Sequence, residues 1–306
     1  MKLYVGVTDK DWFYFLKEWN AVEMNFWRPR STSGFTAIGP GELFLFKLKF
    51  PSNKIVGGAF LVRHTVLPLD LAWEVFGAAN GCPSIEVFRH KISSIRNDTV
   101  ANPHIGCTVL TSPFYLADDV AWLPPNDWSG NIVMGKSYDT AQGEGARLLA
   151  AAQNTLRSQN TSSETLIHED EQRYGGEMMM RPRLGQGGFR VVVLENYGRR
   201  CAITGEKTLP VLEAGHIKPY VEHGPHEPAN GLLLRSDLHT LFDRGYLTVT
   251  NDYRVEVSRR IRDEFSNGRE YYARHGQRLQ MLPSTITERP GKEYLEWHQT
   301  HKFLGS

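Results

Sequence analysis

The sequence predicts an α+β protein with three parts: a strand-rich N-terminal domain over residues 1–138, a helical linker over 139–180 and a C-terminal domain over 181–306. Three observations carry this prediction. Residues 42–50 alternate partly between apolar and polar side chains, and residues 55–62 form a second apolar run that contains two glycines. A polar break at 158–163 interrupts the chain after a short amphipathic segment. Beyond it, His216 ends an apolar run ahead of a helical pattern.

In the N-terminal domain, the runs at 42–50 and 55–62 are predicted strands with a Pro-Ser-Asn turn between them. Residues 68–76 have the periodicity of a helix, and residues 105–110 and 132–134 are further strand candidates. Short strands with few helices are typical of a small barrel or a strongly curved sheet. We therefore expect a curved β-barrel in this domain.

In the linker, residues 146–156 form a small amphipathic helical pattern ahead of the polar break. The C-terminal domain alternates short predicted helices and strands, with Ser236 as the N-cap of one helix and Gly245 as its stop. The predicted elements are a helix at 189–197, a strand pair at 201–216, a helix at 236–243, a hairpin at 246–257, a helix at 258–265 and a terminal helix at 292–303.

Composition excludes several classes of protein. Hydrophobic residues make up 41% of the chain and charged residues 23%, and no apolar run is long enough to span a membrane. Three widely spaced cysteines indicate a reducing compartment without a disulfide framework, so we expect a cytoplasmic protein. The net charge of +1 argues against a uniformly basic nucleic-acid binder. Residues 181–306 nevertheless carry 19 basic and 15 acidic side chains, which favours local contact with phosphate.

Three residues of the C-terminal domain have the chemistry of a hydrolytic site. His216 stands at a predicted strand end, where one ring nitrogen can take a proton from water. Asn230 precedes a second apolar run and can hold the intervening loop through its amide. His239 and Asp243 lie four residues apart on one helix face and can bind or orient a metal ligand. Taken singly, each has an ordinary structural interpretation; their order and spacing favour the site.

Residues 181–265 resemble an HNH endonuclease of the ββα-metal superfamily, and Cys201-Ala-Ile-Thr-Gly205 fits the usual opening of that family. The resemblance implies that His216 is the general base, that Asn230 holds the loop between two strands and that His239 is a metal ligand, with Asp243 a further candidate. It also implies one divalent ion, Mg²⁺ or Mn²⁺, that polarises the scissile phosphate.

Two features depart from the family pattern. Many members place an acidic residue or a histidine directly before the catalytic histidine, and here that position is Gly215. Paired CxxC motifs are absent from the sequence, so we expect no structural zinc. The segment 183–190 is similar to the lead-in of restriction-type members. It contributes three of the four candidate DNA contacts, which are Arg183, Gln186, Arg190 and Lys218.

The N-terminal domain resembles the PUA superfamily, which includes EVE, ASCH, YTH and SRA domains, in its segments 41–44, 55–58, 73–77 and 80–84. Such domains receive a flipped base in an aromatic-lined pocket. The resemblance implies that a modified base, such as a modified cytosine, stacks on aromatic rings while polar side chains bind its edge. The candidates are Trp27, Phe35, Trp73, Asn80 and Ser84. The alternative for each aromatic residue is a place in the core.

Together these features predict a modification-dependent restriction endonuclease that acts on double-stranded DNA. Cutting both strands needs two active sites, so we expect a homodimer without membrane association. Two alternatives stay open. One is a nickase or toxin-like DNase whose first domain binds a protein. The other is a non-catalytic DNA-binding regulator with a degenerate HNH fold, which Gly215 favours.

Overall fold

A computed structural model describes residues 1–30, 34–161 and 184–305. The chain divides into two compact units, Met1–Arg183 and Leu184–Ser306, which are described separately. No described helix is both long enough and apolar enough to cross a membrane. The free cysteines Cys82, Cys107 and Cys201 are all buried.

The described part of the first unit combines one mixed sheet with four helices. Its strands are β1 (Lys2–Thr8), β2 (Glu23–Arg28), β3 (Leu43–Leu48), β4 (Ile55–Pro68), β5 (His104–Tyr115) and β6 (Gly135–Asp139). Its helices are α1 (Lys10–Glu18), α2 (Leu69–Phe76), α3 (Ile85–Arg96) and α4 (Gly143–Thr161).

The sheet of the first unit is open. Its order is β2-β5-β4-β3-β1-β6, with β1 parallel to β3 and the other pairs antiparallel. Within the described residues no ladder joins the edge strands β2 and β6, so the α+β class is confirmed but the sheet does not close into the predicted curved β-barrel. The long β4–β5 ladder contains two register shifts, at Gly58/Phe60 and Leu61/Arg63, of the kind that bends a strand.

Two apolar clusters make the core of the first unit. Trp12, Phe13 and Leu16 of α1 pack into one of them, and the Asp9 carboxylate caps this helix by accepting from the amides of Asp11 and Trp12. In the other cluster, Leu148 and Ala152 of α4 are fully buried. The helix of the predicted linker is thus packed in the core of the first unit, because its small apolar face lies against the sheet.

The described part of the second unit contains short elements. Its helices are α5 (Gln186–Asn196), α6 (Ser236–Asp243), α7 (Arg260–Phe265), α8 (Arg269–Tyr272) and α9 (Lys292–His301). Its strands are β7 (Leu212–His216), β8 (Gly231–Arg235), β9 (Leu247–Val249) and β10 (Val255–Val257), paired as two antiparallel hairpins.

The entry to α6 differs from the sequence prediction. Ser236 is the first helical residue, and Arg235 stands at the N-cap without a side-chain cap bond. The Arg235 guanidinium instead forms a bidentate ion pair with Asp237, at 2.6 and 2.8 Å. The Arg235 amide donates to Cys201 Sγ at 3.4 Å. The thiol and the carboxylate therefore fix the junction between β8 and α6.

Candidate active site

The candidate site lies on a strand–loop–strand–helix frame made by β7, β8 and α6. The two strands pair with Gly215 opposite Leu232 and His216 opposite Gly231, and α6 follows β8 without a linking residue. The strand pair predicted within 201–216 is a single strand, β7, whose partner β8 lies beyond the loop that contains Asn230. Because β7 ends at His216, the imidazole lies where the loop that joins the two strands begins.

Helix α5 packs against His216 through the side chain of Phe189. The rings of Phe189 and His216 stack with centroids 3.9 Å apart and planes 10° apart, and Phe189 is 1% exposed. This close approach requires Gly231, because a Cβ there would lie 2.4 Å from a methyl carbon of Val193 and 3.2 Å from the Phe189 ring. Gly231 thereby allows α5 to come close enough for Phe189 to stack on the His216 ring.

The Asn230 side chain cross-links the loop between β7 and β8 through hydrogen bonds to its backbone. It is fully buried; Oδ1 accepts from the Lys218 amide at 2.8 Å, and Nδ2 donates to the carbonyls of Lys218 at 2.9 Å and Pro225 at 3.0 Å. The Ile217 amide also donates to the Asn230 carbonyl at 2.9 Å. This geometry is that of the loop lock predicted from the sequence.

The imidazole of His216 is held neutral. Burial lowers its pKa to about 4, with the neighbouring His226 and His239 lowering it further. Its Nε2 lies 2.9 Å from Nδ1 of His226. Its Nδ1 has no hydrogen-bond partner among the described residues. A neutral ring with one free nitrogen has the properties of a general base at physiological pH.

His239 is held between two carboxylates. Its Nδ1 lies 2.6 Å from Oε2 of Glu213, and its Nε2 lies 3.4 Å from Oδ2 of Asp243. The sequence prediction missed Glu213. The signal was the strand period of two, which puts Glu213 on the same face of β7 as Gly215. A Cβ on Gly215 would lie 2.6 Å from Cδ2 and Nε2 of His239, so the glycine makes room for that ring.

The donor set of His239 and Asp243 fits part of a divalent-cation site. If His239 donates Nδ1–H to Glu213, its Nε2 lone pair faces the Asp243 carboxylate, and a cation between two such acceptors would relieve their repulsion. Desolvation raises the pKa of Asp243, which marks a carboxylate that gains from a cation. No group of three or more His, Cys, Asp or Glu suited to a metal occurs among the described residues, so the remaining ligands would be water and phosphate.

The predicted DNA contacts are distributed around this frame. Gln186 is exposed at the start of α5, with Arg190 one turn later and half-buried. Lys218 lies in the loop after β7, with Nζ 5.7 Å from the centroid of the Trp297 ring. Arg183 lies outside the described residues. Gln186 and Arg190 therefore lie on α5, whose Phe189 stacks on His216, and Lys218 lies in the loop that follows His216.

In the first unit, most side chains of the predicted base pocket contact α2, α3 or the turn between them. The rings of Trp27 and Trp73 have centroids 5.5 and 6.0 Å from that of the fully buried Phe88. Both amide hydrogens of the buried Asn80 go to carbonyls, those of Ala72 and Gly77.

The two polar side chains of that pocket, Asn80 and Ser84, have structural partners. Oδ1 of Asn80 accepts from Asn25 at 2.9 Å, so both the oxygen and the nitrogen of this amide have partners within the fold. Ser84 is the N-cap of α3, where its hydroxyl accepts from the Val87 amide at 3.4 Å. The side chains of Asn80 and Ser84 thus both have hydrogen-bond partners within the fold.

Phe35 lies in a different aromatic cluster. Its ring is 5.0 Å from that of Tyr4 and 6.1 Å from that of His64, and the Arg28 guanidinium lies 5.4 Å from its centroid. Nδ1 of His64 lies 2.9 Å from Oγ1 of Thr108, whereas its buried Nε2 has no partner among the described residues. Burial, and secondarily the charge of Arg28, lower the pKa of His64 to about 4.

Comparisons with known proteins add to this geometry. Two solved structures of point mutants of the ZmASCH protein from Zymomonas mobilis are similar to this chain at 10% identity, with TM-scores of 0.33 and 0.34. Each match covers 49% of this chain, and 98% and 94% of the other. No curated protein matches the chain.

A family model described as HNH endonuclease matches residues 201–250. That segment contains β7, the locked loop, β8 and α6, and so all of His216, Asn230, His239 and Asp243. The resemblance drawn from the sequence is confirmed over this range. The second unit is therefore similar to the HNH endonucleases across the segment that holds the candidate active site.

Proposed function

We propose that the protein is a metal-dependent DNA endonuclease of the cytoplasm that cuts double-stranded DNA in response to a modified base. One observation carries the nuclease part: His216, neutral and supported by Phe189, shares the ββα frame with His239 and Asp243. The match over residues 201–250 favours the same activity.

His216 takes a proton from water at Nδ1, and the hydroxide formed attacks the phosphorus of the scissile diester. The bond from phosphorus to the leaving ester oxygen then breaks, that oxygen takes a proton from a solvent water, and His216 returns its proton to solvent. Asn230 keeps the loop closed during these steps, and Glu213 orients His239 by accepting its Nδ1–H. A divalent ion held by His239 and Asp243 would polarise the phosphate as a Lewis acid.

The nuclease proposal is tested by incubating the purified protein with plasmid or duplex DNA and Mg²⁺ or Mn²⁺, with and without chelator. We expect cleavage that needs the ion and that the His216→Ala variant loses by about 10²- to 10⁴-fold, the usual contribution of a general base. His90→Ala, an exposed histidine of α3, is the matched control. Full activity in His216→Ala would rule out its role as the base.

Recognition of a modified base is supported by the cluster around Phe35. Arg28 lies over the Phe35 ring and donates to the Tyr4 hydroxyl at 3.3 Å, whereas the nearby Nε2 of His64 has no partner among the described residues. A planar base could stack on the aromatic rings and offer its polar edge to Nε2 of His64. Cleavage of matched duplexes with and without modified cytosine tests this part, and equal rates on both would refute it.

Dimerisation belongs to the same proposal, since hydrolysis of both strands by single-site subunits needs two copies. Light scattering with and without DNA would measure it, and double-strand breaks made by a strict monomer would contradict it. The nickase alternative predicts single nicks and capture of a protein partner. Gly215 no longer favours a degenerate regulator, because the glycine is required for the approach of His239.

A further inference from the structure

The ring of His216 is bonded to a second histidine that the sequence prediction overlooked. Nε2 of His216 lies 2.9 Å from Nδ1 of His226, and the ring centroids are 4.9 Å apart. A hydrogen bond between two imidazole nitrogens needs one N–H and one lone pair, so the tautomer of either ring fixes that of the other. The role of His216 therefore depends on which ring donates.

The loop holds His226 in this contact from several sides. Asn230 Nδ2 donates to the carbonyl of Pro225, the residue directly before His226. The turn ahead of it is tight, because a Cβ on Gly224 would lie 1.8 Å from the Lys218 carbonyl oxygen. Tyr220 stacks on the His226 ring with centroids 4.9 Å apart and planes 10° apart. His226 is thus placed by the same amide that locks the loop.

We propose that His226 is a positioning residue that accepts the Nε2–H of His216 and so leaves Nδ1 of His216 as the lone pair that takes the proton from water. The inference rests on the proposed nuclease function. In the opposite arrangement, His226 would donate to Nε2 of His216. Nδ1 of the neutral His216 would then carry the proton, and the ring would have no free nitrogen facing water.

The environment of the two rings favours this direction. His216 stacks on the buried Phe189, whereas His226 stacks on Tyr220, which is 68% exposed. When His216 takes up a proton at Nδ1, its Nε2–H bond to His226 becomes charge-assisted and stronger. With His226 as a neutral acceptor, the contact therefore favours the correct tautomer of His216 at the start of the proton transfer.

Two substitutions separate a hydrogen-bond role from a packing role. His226→Asn keeps an acceptor, Oδ1, near the place of Nδ1, while His226→Leu keeps an apolar side chain of similar reach without one. We expect kcat to fall by roughly 10-fold or more in His226→Leu, with KM unchanged, and by less than about 3-fold in His226→Asn, given the 10²- to 10⁴-fold contribution of a general base. Equal losses in both variants, or wild-type kcat in His226→Leu, would overturn the proposal.

A second measurement does not depend on cleavage. Long-range proton–nitrogen correlation spectra of ¹⁵N-histidine-labelled protein report which ring nitrogen of His216 carries hydrogen. We expect the Nε2–H tautomer in the wild type and in His226→Asn, and a loss of that preference in His226→Leu. An Nδ1–H tautomer in the wild type overturns the inference even if the protein cuts DNA. An Nε2–H tautomer in a protein that cuts nothing would refute the nuclease and leave the contact established.

Discussion

Substitution of Gly215 by alanine tests the packing that places His239. The added Cβ would lie 2.6 Å from Cδ2 and Nε2 of the imidazole, whereas ordinary contacts begin at 3.4 Å. The ring must therefore move by about 0.8 Å, which pulls Nδ1 from Glu213 and Nε2 from Asp243. A displacement of roughly 1 Å at a reacting centre costs on the order of 10²-fold in rate. Overpacking adds about 1–3 kcal/mol to the cost in folding free energy.

The assay is single-turnover cleavage of a labelled duplex across a Mg²⁺ titration, with urea unfolding measured alongside. We expect Gly215→Ala to raise the Mg²⁺ midpoint and lower the rate at saturation. Gly215→Asp should be worse, although it restores the acidic residue found in many HNH relatives. Gly130→Ala is the control, because nothing lies within 4 Å of a Cβ there. An unchanged rate and midpoint in Gly215→Ala would refute the reasoning.

Three further outcomes are expected. Asn230→Ala removes three buried hydrogen bonds and should lower the free energy of unfolding of the second unit by about 2–4 kcal/mol in urea titrations, and a loss below 1 kcal/mol would contradict the loop lock. Because the base must be neutral and the pKa of His216 is lowered to about 4, kcat/KM should stay flat as pH falls from 8 to 6 and decline only near 4; an acid limb near 6.5 would argue against the buried ring. Arg28→Met should reduce the preference for modified over unmodified duplex in competition binding without changing the cleavage rate of bound DNA, and an unaltered preference would remove Arg28 from the reading site.

The sequence was most informative where local pattern and local structure coincide. The helix at 236–243 and the hairpin near 251 follow from short-range periodicity, and both are confirmed. Asn230 was identifiable because it lies between His216 and the helix of His239 in a strand–loop–strand–helix order. Glu213 was missed because its partner lies 26 residues away, and only the β7–β8 register brings them together.

The first unit was harder to predict from the same kind of evidence. The runs at 42–50 and 55–62 are β3 and part of β4, but β1, β2, α1 and α3 were not anticipated. Strand count alone does not distinguish a closed barrel from an open sheet, since closure depends on pairing between strands distant in sequence. Aromatic residues such as Trp27 and Trp73 look alike in a pocket and in a core, and here both are partly buried with their rings against Phe88.

The buried thiols give each unit its own reporter of stability. Cys82 and Cys107 are fully inaccessible in the first unit, as is Cys201 at the β8–α6 junction of the second. A thiol reagent can reach these sulfurs only when the surrounding structure opens, so labelling rates measure opening free energies under native conditions. Mass spectrometry of the labelled peptides would give the opening rates of the two units separately in one experiment. DNA or a divalent ion that binds the second unit alone should then slow labelling at Cys201 and leave Cys82 and Cys107 unchanged.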